Sequence, residues 1–156
     1  MSAHDTSEPE YVGFWQRVSA ALLDTILLTM LTAPLLWWLY GPAYWQDASF
    51  DGGLADQFIG WVLPAIAIML FWLARSTTPG KMAIDAVIVD ARTGARPSAF
   101  QFLVRYIGYF ASTIPLGLGL FWVGVDPRKQ GWHDKMAGTV VVKRRASTEH
   151  HPRLKR

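Results

Sequence analysis

The chain has 156 residues, 51% of them hydrophobic and 17% charged, with a formal net charge of +3 and no cysteine. The length fits one compact unit, and the missing cysteines exclude disulfides, thiolate catalysis and thiolate-held metals. A mean hydropathy of +0.18 conceals three apolar blocks, Val18 to Leu39, Phe58 to Ala74 and Tyr106 to Val125, and this pattern marks a mainly α integral membrane protein.

Residues 1–10 carry Asp5, Glu8 and Glu10 and neither Lys nor Arg. They read as a disordered tail and lack the basic opening of a signal peptide. A hydrocarbon core about 30 Å thick needs roughly 20 helical residues. The first block reaches that length with one charge inside it, Asp24. An acidic side chain near mid-membrane costs about 2.5 to 3.5 kcal/mol unless it finds a partner, a cavity or a proton. Asp24 is therefore the candidate ion- or proton-binding residue, turned toward protein or water. Arg17 shares its helix face but stands about 10 Å away along the axis, too far to bond it.

The linker from Tyr40 to Gln57 holds Asp47, Asp51 and Asp56 without a basic residue. Beyond the second block, which reads as a second transmembrane helix, Arg75, Lys81, Arg92 and Arg96 are the charges before the third block's approach, together with Asp85 and Asp90. The positive-inside rule puts the first linker outside and both termini inside. Thr78-Pro79-Gly80-Lys81 shares some letters with a phosphate loop but lacks the earlier glycine and the following Ser or Thr. It reads as a turn. Ile84 to Asp90 and Thr139 to Lys143 are short β-branched runs, expected to pair as a small β-ribbon on the cytoplasmic face.

A third full crossing would carry the nine Lys and Arg that follow Val125 to the outside. Pro115, Gly117 and Gly119 interrupt this block. The expectation is a re-entrant or bent helical hairpin packed on the first two helices, since irregular backbone at membrane depth is tolerated only inside protein or around a cavity. Two transmembrane helices, this hairpin and the ribbon make up a membrane domain over residues 11–145, followed by a basic tail, 146–156. The tail suits anionic lipid, at about 1 kcal/mol per basic residue, better than nucleic acid.

The expected charge network consists of Arg17, Arg105, His133 and Asp134, with Arg17 paired to Asp134 at the interface and Asp24 meeting Arg105 or water. His133 beside Asp134 suggests a proton relay. His4, His150 and His151 fall in the tails, and neither a metal-ligand set nor a cofactor motif is evident. The eight tryptophans fit an interfacial belt.

Arg17 and Asp24, Pro79-Gly80-Lys81-Met82, and the run from Gly131 through His133, Asp134 and Thr139 to Val142 together resemble the RDD family of bacterial membrane proteins over roughly Tyr11 to Arg145. The family is named for one Arg and two Asp. The resemblance implies Arg17, Asp24 and Asp134 as those residues and, because some members have been described as sodium/proton antiporters, exchange of a proton for a monovalent cation. One chain is thin for alternating access, so this reading requires a homo-oligomer. The alternative is a non-transporting scaffold that binds partners or anionic lipid through its basic face. An enzyme is not expected, since no nucleophile and base are paired.

Overall fold

A computed structural model describes residues 9–47 and 49–144. The basic tail at 146–156 and the first eight residues lie outside the described part, as do His4, His150 and His151. Helix α1, Phe14–Tyr40, rises about 40 Å at 1.5 Å per residue. It ends at Gly41, whose positive φ of 64° and N–H to the Trp37 carbonyl close the last turn. After the short α2, Ala43–Gln46, a second continuous helix runs over Gly53–Arg75. It comprises α3, Gly53–Gln57, a π-helical turn at Phe58–Val62 and α4, Leu63–Arg75. These two helices are long and apolar enough to cross a bilayer. Only 6% of each one's most apolar window is buried within the chain, so their surfaces need lipid or further protein against them.

α4 stops at Ser76, in the left-handed conformation, and α5 follows at Pro79–Met82. Thr78 caps α5 and Pro79 takes its first position, where the missing N–H is not needed. The expected turn is thus a one-turn helix. β1, Ala86–Asp90, pairs antiparallel with β2, Thr139–Lys143, with Ile88 opposite Val141. Ile84 and Asp85, expected in the strand, instead form the turn before it, and Asp85 has a φ of 53°. Tyr11 adds a bridge to Val142. Under this ribbon lies the core of Val12, Trp72, Ala86, Ile88, Phe102 and Val141. Trp72 therefore belongs to the core, whereas Trp15, Trp38 and Trp61 are exposed as a belt requires.

The third block contains α6, Ala99–Thr113, and α7, Leu118–Val125, bent by 101° across their junction. Leu116 and Gly117 both take positive φ there. α6 begins seven residues before the apolar block because Ser98 and Gln101 form a reciprocal capping box. Phe100, Leu103, Ile107, Phe110 and Ile114 form an exposed apolar stripe, while Phe102, Arg105, Gly108 and Ser112 are buried on the opposite face. α8, Trp132–Ala137, packs on that buried face and leads into β2. The bent unit therefore starts and finishes at the ribbon.

Close backbone approach at Gly80 joins α5 to α1. A Cβ added there would collide with the Ala20 carbonyl oxygen and approach the Asp24 carboxyl carbon at 2.9 Å. Gly80→Val should therefore lower stability by about 2 kcal/mol, as overpacking does, whereas Gly124→Val meets open space. Thermal melts of the two variants in detergent check this, and equal melting would show that the crossing is not tight.

Candidate functional site

Two polar centres lie near the ribbon end of α1. The first is built on Asp134, whose side chain is fully buried. It stands at the third position of α8, and its Oδ2 accepts from the Gly131 N–H at 3.1 Å, fixing the helix start. Arg17 from α1 donates to Oδ2 at 2.6 Å, and Arg105 from α6 donates to Oδ1. Arg105 also donates to Thr139 Oγ1 at 2.7 Å and lies over the rings of Trp72 and Tyr109. Arg17 also donates from Nε to the Val12 carbonyl at 3.1 Å and from Nη2 to the Lys129 carbonyl at 2.5 Å. Lys129 is held in place by the loop before α8, where the Asp126 carboxylate accepts from the Arg128 and Gln130 N–H groups.

Burial is the largest influence on Asp134 and acts to raise its pKa, but Arg105 and Arg17 together hold the carboxyl below the ordinary range. Burial drives His133 down from 6.5 to about 3, against the opposing pull of Asp134. Its ring stacks on Tyr109 at 4.0 Å between centroids and meets Ser112 Oγ at 3.3 Å through Nδ1. His133 is therefore neutral near physiological pH, not the titrating relay that its neighbour in sequence suggested.

The second centre is Asp24. Its Oδ2 accepts from the Thr78 hydroxyl at 2.5 Å and its Oδ1 from the Gly80 N–H at 2.7 Å. The expected partner, Arg105, is committed to Asp134. Asp24 forms no ion pair among the described residues. The physical reason is direction: Arg17 and Asp24 are two turns apart on α1, so Arg17 reaches the α8 junction while Asp24 meets α5. Beside Asp24 a cavity of about 230 Å³ opens between α1 and α4, walled by Leu27, Leu31, Ile68 and Phe71.

The expected pairing of Arg17 with Asp134 is present. Thr78 and Gly80 as donors to Asp24, and Thr139 and Tyr109 beside Arg105, are additions of the structure. The Thr-Pro-Gly run carries a usable signal for the first two, because Thr before Pro is a helix start and a buried carboxylate needs donors. Among the described residues no group of three or more His, Cys, Asp or Glu is placed to hold a metal.

The RDD family model matches residues 11–138, and the chain belongs to the RDD family. An uncharacterised protein of Rickettsia prowazekii, RP437, is 41% identical over 73 residues, which cover 47% of this chain and 40% of that protein. The chain thus spans well under half of that relative. The uncharacterised protein YckC of Bacillus subtilis is 32% identical over 135 residues, covering 83% of each chain. No solved structure matches.

The depressed pKa of His133 fixes a sign for acid stability. A histidine whose folded pKa lies below its unfolded value loses folded-state stability as pH falls below the unfolded value, here 6.5. Asp134, also depressed, keeps its contribution until pH falls below the ordinary carboxylate range. From about pH 6.5 to about pH 4.5 the loss should approach about 1.4 kcal/mol per pH unit. His133→Asn, which preserves a group near Ser112, should remove that slope in pH-dependent melts. An unchanged slope would assign it elsewhere.

Proposed function

We propose that this RDD-family membrane protein exchanges a proton for a monovalent cation at Asp24, working as a homo-oligomer and not as an enzyme. Its termini and ribbon face the cytoplasm of a bacterial cell, and α6 and α7 dip into the inner membrane and return. The observation that carries the reading is the setting of Asp24. It is the only acidic residue in the first two apolar blocks, its neighbours are neutral donors, and it lines the cavity between the two long helices.

Carboxylate oxygens retain lone pairs beyond those occupied by Thr78 and Gly80. A bare cation or a proton can take them, and binding one releases the other with no net change in site charge. Asp134 is unsuited to this task because two arginines already neutralise it. The oligomer is part of this reading because one chain with two long helices is thin for alternating access, and Thr25, Thr29 and Thr32 turn their hydroxyl protons to carbonyls of their own helix.

Asp24→Asn keeps the size and removes the exchangeable charge. In everted vesicles with matched protein levels it should reduce cation-dependent proton movement to the background of empty vesicles, while Thr78→Val lowers it at least tenfold. Full exchange in Asp24→Asn would eliminate the carboxylate mechanism and favour the scaffold.

The orientation has its own check. Single cysteines replacing Ser49 and Thr93 should label from opposite sides of intact cells, Ser49 from outside. Labelling of both from outside would overturn the assignment.

A further inference from the structure

A second cavity, of about 160 Å³, lies between α1 and α7 and is bordered by Arg17, Lys81, Tyr109 and His133 on its polar side. It plays no part in the exchange proposed for Asp24. Lys81 is only 8% exposed, yet forms no ion pair among the described residues. Its Nζ has one hydrogen bond, a long 3.4 Å contact to Thr78 Oγ1. An ammonium has three donors, and an ammonium buried without a counter-charge is costly.

The surroundings do not supply that counter-charge. Asp134 is shared by two arginines, and Asp24 reaches Lys81 only through the Thr78 hydroxyl, which donates to Asp24 and accepts from the lysine, with no direct ion pair. Arg17, Lys81 and Arg105 thus outnumber the two carboxylates by one positive charge, with His133 neutral. The Tyr109 hydroxyl, accepting from Arg105 at 3.5 Å, retains a proton to donate into the same space. The donors call for an anionic oxygen. The remaining walls are apolar, with Val18 and Ala21 on α1 and Leu120 and Val123 on α7. Ala21 is exposed at the rim, and Phe121 and Leu118 on α7 are exposed beside it.

We propose that this cavity binds the phosphate of one anionic phospholipid, which accepts from Lys81 and Tyr109 while an acyl chain leaves between α1 and α7. One phosphodiester carries one negative charge and balances the local excess. A free phosphate offers the same oxygens but would leave the apolar rim without a partner. This site is separate from attraction of anionic lipid to the basic tail, because it requires a buried lysine in a cavity between α1 and α7.

The test uses the full chain purified in a neutral detergent, with retained ligand counted by native mass spectrometry. Dihexanoyl phosphatidylglycerol, dihexanoyl phosphatidylcholine and inorganic phosphate are titrated separately. One phosphatidylglycerol per chain should be retained, at least tenfold more tightly than phosphatidylcholine or inorganic phosphate. Lys81→Met should weaken it at least tenfold, and Arg92→Met, at an exposed turn, should not. Equal binding of phosphatidylcholine, or full retention in folded Lys81→Met, would overturn the site. Equal binding of inorganic phosphate would overturn the lipid assignment in favour of a free anion. Should Lys81→Met fail to fold, Ala21→Phe narrows the rim without changing charge. It should also weaken retention at least tenfold, and unchanged retention there would overturn the proposal.

Discussion

The buried carboxylate of Asp134 between Arg17 and Arg105 is the junction on which the rest of the structure depends. It ties α1 to α6 and α8, elements far apart in sequence, at one end of the long helices. Taking three charges out of water is favourable only when their remaining donors and acceptors are satisfied. Here Thr139, the Gly131 N–H and the Val12 and Lys129 carbonyls supply most of those partners. Removing one member of such a group typically costs about 3 to 5 kcal/mol because the others are left buried and unpaired. The junction therefore selects one arrangement of the helices more strongly than the apolar contacts around it, which are tolerant of sliding.

Glycines allow that junction to close. At Gly108 a Cβ would sit 2.8 Å from the His133 Cα, and at Gly119 one would sit 2.7 Å from the Ser112 Cα. The small residues let α8 lie directly on α6 and let α7 fold back across the bend. This puts Ser112 Oγ where it accepts from the His133 N–H at 3.1 Å. α6 consequently has its apolar stripe outside and Arg105 and Ser112 inside, the reverse of a helix in a water-soluble protein. Such a helix suits a boundary between hydrocarbon and a polar protein interior.

Hydropathy is a local property, and for that reason the two long helices were legible in the sequence. The ribbon was legible because two β-branched runs too short to span have few alternatives to pairing. Arg17 with Asp134 followed from the direction in which side chains lean on a helix. The partner of Arg105 did not, since it depends on how α6 crosses α4 and on the close approach at Gly108, neither of which has a local signature. Lys81 and Thr78 were obscured for a different reason. Their run shares letters with a phosphate loop, and nothing local in it says that its helix start meets a carboxylate 54 residues earlier in the chain. Trp72 shows a similar limit: a tryptophan near a block end has the same sequence context whether it meets lipid headgroups or, as here, the rings of Phe102 and Tyr109.

Asp24 and Asp134 are both aspartates close to the same helix end, and their partners separate their chemistry. Asp134 faces two permanent cations, so protonating it would leave two buried positive charges opposed by none. Asp24 faces a hydroxyl and an amide, so neutral donors alone hold its carboxylate, with no ion pair among the described residues. Thr78 joins this centre to Lys81, since its one hydroxyl proton goes to Asp24 while its oxygen accepts from the lysine.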